Sequence, residues 1–135
     1  MQVYSPCYPT SCCPVNSVAL LGNFVRSMFL SDSENNIYAS VYGPCSLSHN
    51  GVTIDEVTEY PFRNTVRFEV KEGCGFSLFL RIPGWCDEYF VTLNGKAVLA
   101  EKNENGFAEI SSLKEGDTAV ITFREETKVL RVNDD

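Results

Sequence analysis

At 135 residues and 44% apolar content, the chain is long enough to enclose one hydrophobic core and too apolar to be disordered. Its formal net charge of −7, with eleven Lys and Arg scattered singly, argues against nucleic acid or an anionic membrane surface as a partner. No run of about eighteen apolar residues is present, and the first four residues lack the basic start and apolar run of a secretory signal, so neither a spanning helix nor a leader is expected.

Residues 1–13 carry Pro6, Pro9 and three cysteines without periodicity and read as looping chain. Pro14 suits the start of a helix, where its missing N–H is no loss. Behind it Val18, Leu21, Val25, Met28 and Phe29 share one face, which predicts a helix over residues 14–30. Leu20 and Phe24 widen its apolar surface beyond one stripe, so a further partner is expected to pack there, a second copy of the chain being one candidate. The polar cluster of residues 31–36 then marks a boundary, dividing residues 1–36 from residues 37–135.

Beyond it the period changes to two. Ile37, Ala39 and Val41 alternate with polar or aromatic neighbours; Val52 and Ile54 open a strand after Asn50-Gly51; Val66, Phe68 and Val70 form another. Phe76, Leu78, Leu80 and Ile82 make the most regular run, ended by Pro83-Gly84, which delivers the single tryptophan, Trp85. Tyr89, Val91 and Leu93 lead into Asn94-Gly95, a strong hairpin signal, with Ala97, Val98 and Leu99 returning. Short strands are expected over residues 107–110 and 118–124, and an edge strand over 128–132. Seven or eight strands with no helix among them predict a mostly β chain, an antiparallel β-sandwich preceded by one helix.

Cys12-Cys13-Pro14-Val15-Asn16, Tyr60-Pro61-Phe62, Arg81-Ile82-Pro83-Gly84-Trp85-Cys86, Leu93-Asn94-Gly95 and Glu115-Gly116-Asp117 together resemble glycoside hydrolase family 127, the β-L-arabinofuranosidase-like enzymes. Val15 departs from the pattern, since the family commonly repeats proline there. The resemblance implies a retaining glycosidase of which this is the C-terminal portion, the helix being what is left of a helical (α/α)6 barrel that lies outside the chain. It also implies a zinc ion held by a glutamate and three thiolates, and a separate glutamate as general acid/base. Carried over, Cys12 resembles the nucleophile and a zinc ligand, and Cys13 a second ligand. The other ligands and the acid/base would belong to the barrel, so the chain alone is expected to be inactive and to bind zinc weakly.

Without the family, the pair still has a chemical logic: a helix N-terminus carries partial positive charge and favours the thiolate. On spacing alone, small buried apolar residues at a helix start are the commoner outcome. Vicinal cysteines and a sizeable core fit a disulfide-stapled secreted domain poorly, so reduced thiols and a cytoplasmic setting are expected. A lone tryptophan after a core strand is more often a plug in the core or at a domain contact than a platform for a sugar. His49 reads as a solvated loop residue, and Glu56, Glu59, Asp87 and Glu88 as solvated flanks of strands. The competing reading is a non-catalytic carbohydrate-binding or structural module, gripping sugar through Tyr38, Tyr42 or Tyr89.

Overall fold

The computed structural model describes residues 12–127, with side chains in the helix from residue 16 onward. The expected edge strand over 128–132 and Cys7 lie outside the described residues. Helix α1 (Cys12–Arg26) comes first. It begins two residues before the expected start, which leaves Pro14 inside the first turn, where its missing N–H still costs nothing. It also ends earlier than residue 30. Met28 turns into the core at 6% exposure, and Phe29–Ser31 extends as strand β1. Met28 and Phe29 match the helical face by spacing, but burial against the sandwich and a backbone ladder outweigh another helical turn that would leave both exposed.

Strand β1 pairs antiparallel with β2 (Ile37–Ala39) across the polar cluster. There Asp32 accepts from the backbone N–H groups of Glu34 and Asn36 at 2.9 and 3.0 Å, and from the Tyr38 hydroxyl at 3.0 Å. The chain continues as β3 (Cys45–His49), β4 (Val52–Thr58), β5 (Thr65–Glu72), β6 (Cys74–Arg81), β7 (Glu88–Leu93), β8 (Lys96–Val98), β9 (Phe107–Lys114) and β10 (Thr118–Arg124). Two sheets result, one in the order β1-β2-β6-β9 and one in the order β3-β4-β5-β10-β7-β8. The sandwich expected from the period-two runs is therefore present. All its pairings are antiparallel except β2 with β6, which run parallel with Ile37 opposite Leu78.

The run expected to sit at the centre does so: Phe76, Leu78, Leu80 and Ile82 are all buried. Facing them from the larger sheet are Ile54, Val66, Phe68, Val70, Ile121 and Phe123, the alternate residues of β4, β5 and β10. Strand β9 runs past the expected residue 110 because Leu78 pairs with Ile110 while Phe76 pairs with Leu113, so Ser111 and Ser112 oppose a single residue of β6. Ser112 takes φ 60° to make this bulge, which returns Leu113 to the core out of phase with Ala108 and Ile110.

The end of the helix is tied to this body. Ser40 N and Val41 N donate to Met28 O at 2.9 and 3.3 Å, and the Ser40 hydroxyl donates to Ser27 O. From Asn16 to Arg26, by contrast, every residue of the helix is exposed. Its Val18, Leu20, Leu21, Phe24 and Val25 face away from any described element. No described helix is long and apolar enough to cross a membrane.

Candidate functional site

Three places in the fold carry chemistry. The first is the start of α1, whose opening residues are Cys12 and Cys13. The backbone N–H groups of a first helical turn have no intrahelical partners, so a thiol there lies against a field that favours its anion. The side chains of both cysteines fall outside the described ones, and so do their contacts. What the fold does fix is the other end of the helix, by Met28 and Ser40, next to the loop of residues 40–44.

The second place lies under that loop. Glu56 points inward from β4 in line with Val52 and Ile54 and is only 2% exposed. Its Oε1 accepts from Gly43 N at 2.9 Å, and the Cys45 thiol lies 3.9 Å from its Oε2. Burial raises its carboxyl to about 7, against which the Gly43 and Cys45 contacts act only in part. Burial and the neighbouring carboxylate likewise push the Cys45 thiol up to about 11. Cys86 donates to Glu88 O at 3.0 Å and is also raised by burial. Neither is an activated nucleophile, because activation needs the opposite shift. Cys45, Cys74 and Cys86 are free thiols. Glu56 is therefore not the solvated flank expected of an acidic residue, and strict alternation from Val52 is the sequence signal that puts it on the inner face.

The third place is the end of the sandwich where the loops after β2, β4 and β6 meet β10. Trp85 stands there with Phe123 against it edge to face, ring centres 6.0 Å apart at 69°. It is 46% exposed, so it is neither a core plug nor covered by any described element. Clefts open on its flanks. One is lined by Ser40, Tyr42, Tyr60, Arg81 and Pro83, and another by Asp87, Glu88, Arg124, Glu125 and Glu126. Phe62, on the neighbouring loop, is almost wholly exposed.

Of the other residues singled out in the sequence, Tyr42 is a core residue, its hydroxyl donating to Arg81 O at 2.6 Å, and so is no surface platform. Tyr38 stacks on Phe79 with ring centres 4.4 Å apart, and Tyr89 donates to Ala100 O at 2.7 Å. His49 ends β3 half-buried, with Ser31 Oγ 3.2 Å from its Nε2, rather than lying in a solvated loop. Glu88 pairs with Arg124, and Glu59 with Arg63. No cluster of three or more metal-binding side chains occurs among the described residues.

Residues 36–124 match the family described as β-L-arabinofuranosidase, GH127 middle domain. Among solved structures, a GH127 β-L-arabinofuranosidase from Geobacillus stearothermophilus T6 is 29% identical with a TM-score of 0.79, over 93% of this chain and 21% of its own. A protein described as a glycoside hydrolase is 28% identical with a TM-score of 0.80, over 89% and 21%. A GH127 β-arabinofuranosidase, 22% identical with a TM-score of 0.72 over 87% and 22%, shares the fold. No curated protein matches the sequence. The chain thus spans about a fifth of the length of the structures it resembles. It belongs to glycoside hydrolase family 127, the β-L-arabinofuranosidase family.

Proposed function

We propose that residues 1–135 are the portion of a retaining β-L-arabinofuranosidase-like hydrolase that supplies two thiols to its active site and a β-sandwich that braces its helical barrel. The observation that carries this reading is the start of α1 at Cys12, immediately ahead of the matched middle domain. Sulfur donors suit zinc, and two thiols make half of a tetrahedral set, so Cys12 and Cys13 fit as two ligands whose complement comes from the barrel. Zinc, when bound, holds both thiols as thiolates at neutral pH.

In this reading Cys12 attacks the anomeric carbon of an L-arabinofuranoside. A carbon–sulfur bond forms as the glycosidic carbon–oxygen bond breaks, and the leaving oxygen takes a proton from a carboxylic acid of the barrel. Water then displaces the sulfur with that same carboxylate as base. The helix supplies the field that favours a thiolate, and its exposed Val18, Leu21 and Val25 are the surface against which barrel helices pack.

The test compares the chain alone with a polypeptide that also carries the preceding domain of its relatives. The chain alone releases no nitrophenol from an aryl L-arabinofuranoside and holds zinc weakly. The longer polypeptide hydrolyses the substrate, holds one zinc, and loses turnover in Cys12→Ser. Tight stoichiometric zinc in the chain alone, or turnover that survives Cys12→Ser, refutes the reading.

A further inference from the structure

The turn at Pro83-Gly84 closes with Cys86 N donating to Pro83 O at 3.0 Å and lifts Trp85 clear of the sheet. Phe123 anchors the indole on one side, and nearly half of the side chain is left open. Beside it lies a cleft of about 250 Å³ lined by Trp85, Asp87, Glu88, Arg124, Glu125 and Glu126. We propose that this cleft binds a neutral sugar ring.

The chemistry of the lining selects the ligand. An indole face attracts the C–H side of a sugar ring, while the ring's outward hydroxyls need acceptors around the rim. Four carboxylates supply them, and the Arg124 guanidinium supplies donors. Three of these groups have these partners: Asn64 Nδ2 donates to Glu125 Oε2 at 3.1 Å, and Arg124 pairs with Glu88. The volume falls below the roughly 300–1,000 Å³ of sites for larger ligands, so one ring fits rather than a chain.

Four carboxylates against one guanidinium repel phosphorylated or acidic sugars and nucleotides. They also oppose an apolar or acidic protein segment as occupant. A covering segment would strip water from every carboxylate, whereas a hydroxyl replaces each lost water bond in kind.

Trp85 is the only tryptophan of the chain, so its fluorescence reports on the clefts at its flanks, and the variants below assign the signal to this one. Titration with methyl β-L-arabinofuranoside, the probe that family membership suggests, should give a saturable change with Kd of about 1–10 mM, and glucuronate should give none. In ligand-observed NMR, Trp85→Ala should abolish the transfer signal, and Glu125→Gln should weaken binding about three- to tenfold. The thiol reading is tested by turnover and zinc content, which this titration does not read, so failure here leaves it standing. Absence of saturation, binding undiminished in both variants, or equal binding of glucuronate overturns the proposal. So does a fluorescence shift that follows chain concentration without sugar, which would show a second copy seated in the cleft.

Discussion

Replacing Glu56 by Gln should make the sandwich more stable at alkaline pH and leave it nearly unchanged in mild acid. Burial holds the Glu56 carboxyl at about 7 in the folded state, against an ordinary value of 4.5. Because the folded value is the higher one, the unfolded chain loses this proton first as pH rises. Stability is therefore fully present below about pH 4.5, falls between there and pH 7, and stays reduced above. At about 1.4 kcal/mol per tenfold, the gap corresponds to about 3 kcal/mol by pH 8. A glutamine keeps the shape: its carbonyl accepts from Gly43 N as Oε1 does, and its amide faces the Cys45 sulfur. Urea unfolding from pH 5 to pH 8 should show Glu56→Gln gaining on the parent by about 2.5 kcal/mol across the range, the remainder having been lost below pH 5. Parallel curves for the two proteins would mean that Glu56 ionises freely in the folded state and would refute the argument.

Leu80→Ala should cost about 2–5 kcal/mol by urea unfolding, since Leu80 is fully buried with only Ala39 and Ala108 as cross-strand partners to fill the space. Asp117→Ala should cost about 1–3 kcal/mol, because its carboxylate accepts from Asn94 Nδ2 at 2.8 Å and Lys114 N at 2.9 Å. The Asn94 bond holds the Asp117 carboxyl below its ordinary value, so this stabilisation is present above about pH 4 and is lost as acid protonates the folded state. Changing Val18, Leu21 and Val25 together to Ser should move the unfolding midpoint by less than about 0.5 kcal/mol and suppress self-association in sedimentation, because all three are exposed.

The strands that the sequence displayed best were those whose apolar residues keep strict phase. The β6 run and the Asn94-Gly95 hairpin are formed as expected, with Asn94 and Gly95 at φ 52° and 76°, as a tight turn of that hand requires. The same dipeptide at Asn50-Gly51 closes the β3–β4 hairpin at φ 46° and 76°, yet β3 was missed, because Cys45, Ser46, Leu47, Ser48 and His49 offer too few apolar side chains to reveal a period. Strand β9 was cut short for the opposite reason. Its bulge at Ser112 breaks a good period, and a bulge leaves no mark in polarity alone. The helix stops short of residue 30 because Met28 and Phe29 satisfy a helical face and a strand's burial equally well. Among the candidate places, the helix start at the cysteine pair shows in the sequence through Pro14, whereas the exposure of Trp85 depends on which loops surround it, and those come from distant parts of the chain.

The helix that would present the thiols is a lever held at one end. Its 15 residues span about 22 Å at 1.5 Å per residue, with Met28 and Ser40 fixing the far end from Cys12. A tilt of about 10° about that anchor displaces the first turn by about 4 Å, whereas a displacement of about 1 Å can cost a hundredfold in a covalent step. The Met28 anchor is stiff by its own measure: a Cβ added at Gly43 would meet Met28 Cε at 3.1 Å, so little free space surrounds that side chain. No stiffness at one end of a lever this long fixes the other. Placing a nucleophile at Cys12 would therefore require a second support towards the start of α1, and the exposed apolar residues on that side of the anchor are Val18, Leu20 and Leu21. The apolar surplus of the helix and the demand for a positioned thiol are then two sides of one geometric requirement, which the sandwich meets only in half.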